Sequence, residues 1–86
     1  MKKYELTFLL KKSEDAQKIK QLLTLEEGKL LKEEKWGEKT LAYQIKKNRT
    51  AFFYNWLIEI PQNKIGSFRK KLNFEEKILR YLLLVS

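Results

Sequence analysis

Several residue types that carry chemistry are absent or scarce in this chain of 86 residues. It has no cysteine, which excludes disulfides, thiol nucleophiles and thiolate zinc sites. It has no histidine, which excludes imidazole acid–base catalysis and Ser-His-Asp triads. Its three glycines are scattered at positions 28, 37 and 66, so no glycine-rich phosphate loop is present. The adjacent carboxylates at 26–27, 33–34 and 75–76 are typical of solvated faces, so we expect no catalytic site, metal site or cofactor.

Long hydrophobic runs are also missing. The run at 81–85 is far shorter than the about 20 residues that a membrane span needs. Glu5 interrupts the first apolar stretch near the N-terminus, so we expect no membrane partner. Hydrophobic residues make up 43% of the chain, including five Phe, four Tyr and two Trp. This composition predicts one compact domain over residues 1–86.

The charge is strongly one-sided. The chain has 19 Lys and Arg residues and 11 Asp and Glu residues, which gives a formal net charge of +8. Such a surplus favours a polyanionic partner, either nucleic acid or an acidic membrane surface. The alternative is a lysine-rich surface that serves solubility only. Arg49, Arg69 and Arg80 are the only arginines, and arginine makes the bidentate phosphate contacts that lysine does not.

Alternating apolar residues predict four strands. One strand, 29–36 continuing at 41–45, has a charged middle that suits a sheet edge, and Gly37 within it indicates a bulge or a bend. The polar stretch 46–49 after it indicates a hairpin tip. The other predicted strands are 4–10, 51–60 and 78–85.

Helical spacing predicts two helices between these strands. The first follows Ser13 as its N-cap and ends near Gly28, and the second follows Pro61. The resulting order is βαββαβ, with two interleaved βαβ units that each need a right-handed crossover. We therefore predict an α+β protein with the ferredoxin-like split βαβ fold, in which both helices cover one face of a four-stranded antiparallel sheet.

The strand 51–60 predicts which face of the sheet is covered. Its even-numbered residues form a continuous apolar face, which we expect to lie under the helices. Leu9, Phe53 and Leu57 would then lie on the opposite face, where this chain has no third layer.

Two known classes of protein share the βαββαβ order of elements, and each offers an alternative function. Residues 49–54 (RTAFFY) resemble the third strand of the RNA-recognition motif, which stacks single-stranded RNA bases on aromatic rings. The glycines of that motif are missing, and Phe53 is the only ring expected on the open face. Acylphosphatase-like hydrolysis would need an arginine in the first loop, and Asn55 alone is a weak match. A third alternative is a protein-interaction domain with a basic surface.

The segment 36–46 (WGEKTLAYQIK) closely resembles the signature of the bacterial small-subunit ribosomal protein S6 family. That signature has Trp-Gly, two or three mostly polar residues, Leu-Ala-Tyr, usually Pro, and Ile. Tyr4, Gly28 and Arg80 agree with the family in order and spacing, and Phe53 stands where Tyr is usual. Thr40 and Gln44 depart from the pattern. The resemblance covers essentially the whole chain.

The resemblance implies a non-enzymatic ribosomal protein. Members of this family bind the central domain of small-subunit rRNA as a heterodimer with ribosomal protein S18. The same role would place this chain in the small ribosomal subunit of the cytoplasm, while the sequence leaves an organellar origin open. No small-molecule substrate is implied. We expect RNA contacts from basic residues at strand ends, at the hairpin tip and on the open face: Lys2, Lys3, Lys46, Lys47, Arg49 and Arg80. We expect the protein partner to contact Trp36, Leu41, Tyr43 and Phe53.

Overall fold

The computed structural model describes residues 2–45 and 47–86. Single 3-10 turns at Ser13–Asp15 and Gln62–Lys64 lead into the two helices. The regular elements are β1 (Lys2–Leu10), α1 (Ala16–Leu25), β2 (Lys29–Ile45), β3 (Asn48–Ile60), α2 (Ile65–Phe74) and β4 (Ile78–Val85).

The four strands form one sheet in the order β2-β3-β1-β4, and every neighbouring pair is antiparallel. Strands joined by a helix are not neighbours in this sheet. The connection through α1 crosses the position of β3 to reach β2, and the connection through α2 crosses β1 to reach β4. This arrangement, with the helices packed on one face, confirms the predicted ferredoxin-like split βαβ fold. It also confirms β2 as an edge strand. We call the end of the sheet that carries the β2–β3 turn the hairpin end, and the other the far end.

The core lies between the sheet and the two helices. Alternate residues of the central strands are buried there, including Leu6 and Phe8 of β1 and Trp56 and Ile58 of β3. The helices contribute the residues that cover these side chains, namely Ala16, Ile19, Leu23, Phe68 and Leu72. The predicted apolar face of β3 is thus confirmed as core, except that Phe52 is only partly buried. Phe52 pairs with Leu10, the last residue of β1, so less of the core surrounds it.

Three rings at the centre of the core fix the central strand pair. Phe8 stacks on Tyr54 with ring centroids 5.2 Å apart and meets Trp56 edge-on at 4.8 Å. Such aromatic pairs contribute about 0.5–1.5 kcal/mol beyond the area they bury. The Tyr54 hydroxyl donates a hydrogen bond to the Ser13 carbonyl at 3.2 Å. Burial, reinforced by the Glu33 carboxylate, raises the pKa of Tyr54, so this donor keeps its proton.

The start of α1 differs from the prediction. Ser13 lies inside a 3-10 turn, and α1 begins at Ala16 with Asp15 as its N-cap and no side-chain capping bond. The prediction of Ser13 as N-cap was therefore wrong. The carbonyl of Ser13 is instead the acceptor for Tyr54, so a tertiary contact orients this turn in place of a local cap.

The end of α1 depends on Gly28. The Gly28 amide donates to the Leu23 carbonyl at 2.9 Å, and Glu27 before it adopts a left-handed φ of 61°. A Cβ atom at Gly28 would lie 2.4 Å from Leu23 Cδ1. Glycine is needed here because the chain passes directly over a core leucine, which agrees with its predicted place at the end of the helix.

One carboxylate is buried between the helices. Glu26 is 5% exposed, and its Oε1 accepts from Lys71 Nζ at 2.7 Å and from Ser67 Oγ at 2.8 Å. The hydrogen bond from Lys71, followed by that from Ser67, lowers the pKa of Glu26 against the opposing effect of burial. The contact ties the end of α1 to α2, the two elements that cover the sheet.

The helix α1 offers a matched pair of leucines for testing the core. Leu23 is 2% exposed and Leu25 is 67% exposed. We expect Leu23→Ala to lower the free energy of unfolding by about 2–5 kcal/mol, because it removes buried methyl groups and leaves a cavity. Leu25→Ala should change it by less than about 0.5 kcal/mol. Urea unfolding of both variants measures the difference, and similar values for the two would contradict the packing described.

The Glu26 contact predicts an acid-sensitive contribution to stability. Because the pKa of Glu26 is lowered in the folded chain, its contribution is complete above the unfolded value of about 4.3 and is lost as pH falls through the folded value. Glu26→Gln should therefore lower the Tm at pH 7, and its difference from the wild type should shrink below about pH 4. Thermal unfolding from pH 3 to 7 measures this. Glu27→Gln, at the exposed neighbouring position, is the control, and a Glu26→Gln deficit that grows in acid would refute the assignment.

Candidate RNA and protein interface

In the described residues, no helix packs on the sheet face that lies away from the core, and we call it the open face. Cross-strand pairing puts Phe53, Leu9 and Arg80 in one row. The next row is Asn55, Thr7 and Leu82, and the third is Leu57, Glu5 and Leu84. Leu82 and Leu84 are 56% and 50% exposed, so the β4 side of the face presents apolar surface to solvent.

The Asn55 side chain is held within this face. Its Nδ2 donates to Thr7 Oγ1 at 2.8 Å and to Glu5 Oε1 at 3.0 Å. These contacts stabilise the middle row across β1 and β3. They give the Asn55 amide a structural role on the open face, beside the apolar side chains of the neighbouring rows.

A bulge in β2 moves Trp36 towards this face. The register of β2 against β3 shifts between Lys35 and Gly37, and Gly37 has a left-handed φ of 81°. Trp36 is the extra residue, so the structure has a bulge at Gly37, one of the two predicted alternatives. A residue with a Cβ would be strained at that φ.

The bulge assembles a cluster of two rings and one cation, which we call the Trp36–Lys39–Phe53 cluster. Lys39 Nζ lies 5.7 Å from the centroid of each ring. Trp36 Nε1 donates to Glu34 Oε2 at 3.1 Å, and this hydrogen bond, followed by the one from Lys32, lowers the pKa of Glu34. Trp36 is 44% exposed. Phe53, which was expected to be the only ring on the open face, thus has a second ring nearby.

Beyond the end of β1, β2 and β3 continue as a two-stranded hairpin arm, residues 39–45 and 47–51. Thr40 pairs with Thr50 and Ile45 pairs with Asn48, so the four residues 41–44 lie opposite the single residue Arg49. Leu41 is half-buried in this segment, and Tyr43 is 61% exposed.

Tyr43 connects the hairpin arm to the other side of the sheet. Arg80 Nη1 donates to Tyr43 Oη at 2.9 Å, and the guanidinium carbon lies 5.9 Å from the ring centroid. Because β2 and β4 are opposite edges of the sheet, the arm must reach across the hairpin end to make this contact. A residue predicted for the protein partner therefore contacts one predicted for RNA.

The predicted RNA-binding residues fall into two groups. Lys47, in the turn with a φ of 68°, Arg49 and Arg80 lie at the hairpin end. Lys2 and Lys3 pair with Ile60 and Glu59 at the far end, roughly 26 Å from the last residue of β1 at a rise of about 3.3 Å per residue. The prediction of 46–49 as the hairpin tip is corrected, because β3 already begins at Asn48. Lys46 lies outside the described residues.

Three residues of this interface were missed by the sequence prediction. Lys39 is three positions after Trp36, and strict strand alternation would put the two on opposite faces. Only the bulge brings them together. Leu82 and Leu84 could have been found, because they alternate with Arg80 along β4 and so share its face.

In the part of the chain that the structure describes, neither helix is long and apolar enough to cross a bilayer. Among residues 2–45 and 47–86, no group of three or more acidic side chains is placed to hold a metal ion.

The fold and this face define the class of the protein. It is a small ferredoxin-like α+β domain with helices on one side of its sheet and a partly apolar sheet face on the other, flanked by basic loops.

Comparison with known proteins identifies the family. The model of the family described as ribosomal protein S6 matches residues 3–84. Small ribosomal subunit protein bS6 of Fusobacterium nucleatum is 32% identical over 90 residues, covering 96% of both chains. The protein of that name from Vesicomyosocius okutanii is 34% identical over 90 residues, covering 98% of this chain and 80% of the relative. The chain belongs to the ribosomal protein S6 family, as the signature at 36–46 predicted.

A solved structure agrees with the fold. The crystal structure of 30S ribosomal protein S6 from Thermotoga maritima matches with a TM-score of 0.84 and 18% sequence identity. The match covers 99% of this chain and 87% of that one. The fold is therefore shared across a wide difference in sequence.

The Tyr43–Arg80 contact predicts a local effect on the hairpin arm. Tyr43→Phe keeps the ring and removes the hydrogen-bond acceptor, which at this exposed site is worth at most about 1 kcal/mol. Amide hydrogen exchange within 39–45 should accelerate by up to about fivefold, while the Tm stays close to that of the wild type. Tyr81→Phe is the control, since the Tyr81 hydroxyl contacts Asn73 away from the arm. Unchanged exchange in Tyr43→Phe would show that the contact does not hold the arm.

Proposed function

We propose that this chain is a structural constituent of the small ribosomal subunit, and that residues 1–86 act as one domain that binds the central domain of small-subunit rRNA together with ribosomal protein S18. The observation that carries the proposal is membership of the ribosomal protein S6 family over residues 3–84. The relatives from Fusobacterium and Vesicomyosocius are named small ribosomal subunit proteins. The proposed location is the cytoplasmic ribosome.

The RNA contact would be dominated by charge. With a net charge of +8, the chain attracts phosphates at long range, and each phosphate that it neutralises releases counterions from the RNA. Arg80 is exposed and uses one of its five N–H donors on Tyr43, which leaves donors for a phosphate. Lys47 and Arg49 are exposed on the hairpin arm at the same end of the sheet. These residues can engage RNA without any rearrangement of the core.

The protein partner would dock on the open face and the arm. Trp36, Tyr43 and Phe53 supply aromatic surface, which is enriched in the energetically important part of protein interfaces. Leu82 and Leu84 extend this surface towards β4. Leu41 is half-buried and therefore offers less area to a partner. Because Tyr43 contacts Arg80, the proposed protein and RNA surfaces meet at the hairpin end.

Reconstitution tests both parts of the proposal. The chain should bind a central-domain fragment of small-subunit rRNA in a salt-sensitive way, with tighter binding when ribosomal protein S18 is present. Trp36→Ala should weaken binding in the presence of S18 by about tenfold, equivalent to about 1.4 kcal/mol. Phe74→Ala is the matched control, because Phe74 is 75% exposed at the end of α2 and lies off the open face. It should change affinity by less than about twofold.

Two results would contradict the proposal. One is the absence of binding to the central-domain RNA at low salt with S18 present. The other is equal or tighter binding of short single-stranded RNA that Phe53→Ala abolishes, which would favour the function of an RNA-recognition motif.

A further inference from the structure

Three loops meet around a cleft at the hairpin end. The cleft has a volume of about 310 Å³ and is lined by Lys11 and Lys12 from the β1–α1 loop, Asn48 from the arm, and Glu76 and Lys77 from the α2–β4 turn. Asp15 and Leu79 complete the lining. These loops lie far apart in the sequence and are brought together by the pairing of β1 with both β3 and β4.

Among the described residues, no ion pair joins the ammonium groups of the three cleft lysines to a carboxylate. In the described part of the chain, the ion pairs join Lys18, Lys20, Lys32 and Lys71 to acidic side chains. Lys11, Lys12 and Lys77 take part in none of these pairs. Ammonium groups that line one cleft and form none of these ion pairs raise the local positive potential and attract an anion.

The surroundings strengthen this potential. Asp15 and Glu76 also line the cleft, but the three lysines outnumber them. Lys47 and Arg49 lie on either side of Asn48 in the sequence, and Arg80 pairs with Leu9, two positions before Lys11. Six cations therefore surround one end of the sheet, which we call the hairpin-end basic cluster: Lys11, Lys12, Lys47, Arg49, Lys77 and Arg80.

We propose that the hairpin-end basic cluster is the surface that binds the RNA backbone, with Lys11, Lys12 and Lys77 contacting phosphates in the cleft. This inference rests on the proposed function and adds three residues to the RNA contacts expected from the sequence. It also transfers the main contact away from Lys2 and Lys3, which lie at the far end. The occupant is a phosphodiester chain because a cluster of six cations favours a polyanion, and the chain's own charge of +8 disfavours a second copy.

The test compares two charge-matched triple variants. One is Lys11→Gln, Lys12→Gln and Lys77→Gln. The other is Lys2→Gln, Lys3→Gln and Lys29→Gln, which removes three exposed lysines at the far end. Binding to the central-domain RNA fragment with S18 present is measured from 50 to 300 mM KCl as log K against log salt, and thermal unfolding verifies that both variants fold.

The cleft variant should bind at least tenfold more weakly near 0.1 M salt. The magnitude of its slope of log K against log salt should fall by about 2–3, since each phosphate contact contributes about 0.7–0.9 to that slope. The far-end variant should lose less than about 1 in slope. An equal or larger loss in the far-end variant would overturn this inference and leave the proposed function standing. Failure of the wild type to bind the RNA would overturn the proposed function, and this inference with it.

Discussion

The antiparallel register between β1 and β3, fixed where Phe8 packs on Tyr54 and Trp56, determines which side of every strand faces the helices. Side chains alternate along a strand, so a slip of one residue would exchange the covered face with the open face. The ring contacts oppose such a slip, because a shifted β1 would place Thr7 or Leu9 opposite the buried rings. The composition of the open face, with Leu9, Phe53 and Leu57 among polar residues, is a direct consequence of this register.

The two exposed edges of the sheet differ in a way that suits their proposed roles. β2 carries a run of four charged residues along its middle, 32–35, which discourages pairing with another sheet, and its bulge brings Trp36 beside Lys39 and Phe53. β4 is apolar apart from Arg80, and its leucines widen the open face. Aromatic and apolar side chains from both edges thus lie on the side away from the helices, with the polar pair Asn55 and Thr7 between them.

The proposed RNA surface draws its cations from loops and from strand ends, whereas the apolar surface of the open face comes from strands. The hairpin-end basic cluster lies where three loops converge, next to the arm that carries Tyr43. The Tyr43–Arg80 contact joins a residue of the proposed protein surface to a residue of the proposed RNA surface. This adjacency offers a physical route by which a protein partner and RNA can bind to the chain together.

The sequence by itself determined the order of elements, the core face of β3, the edge position of β2 and a bulge or bend at Gly37, because each follows from local alternation or from backbone chemistry within a few residues. Its signature at 36–46 also determined the family. Tertiary structure alone decided that Lys39 lies beside Trp36 and that Tyr43 contacts Arg80. It also decided that the Ser13 carbonyl accepts from Tyr54 while the Ser13 side chain does not cap α1. The common cleft of Lys11, Lys12 and Lys77 was likewise a result of the tertiary structure. These contacts join residues through a bulge or between separate loops, and their positions depend on strand register and chain direction, which no local pattern encodes.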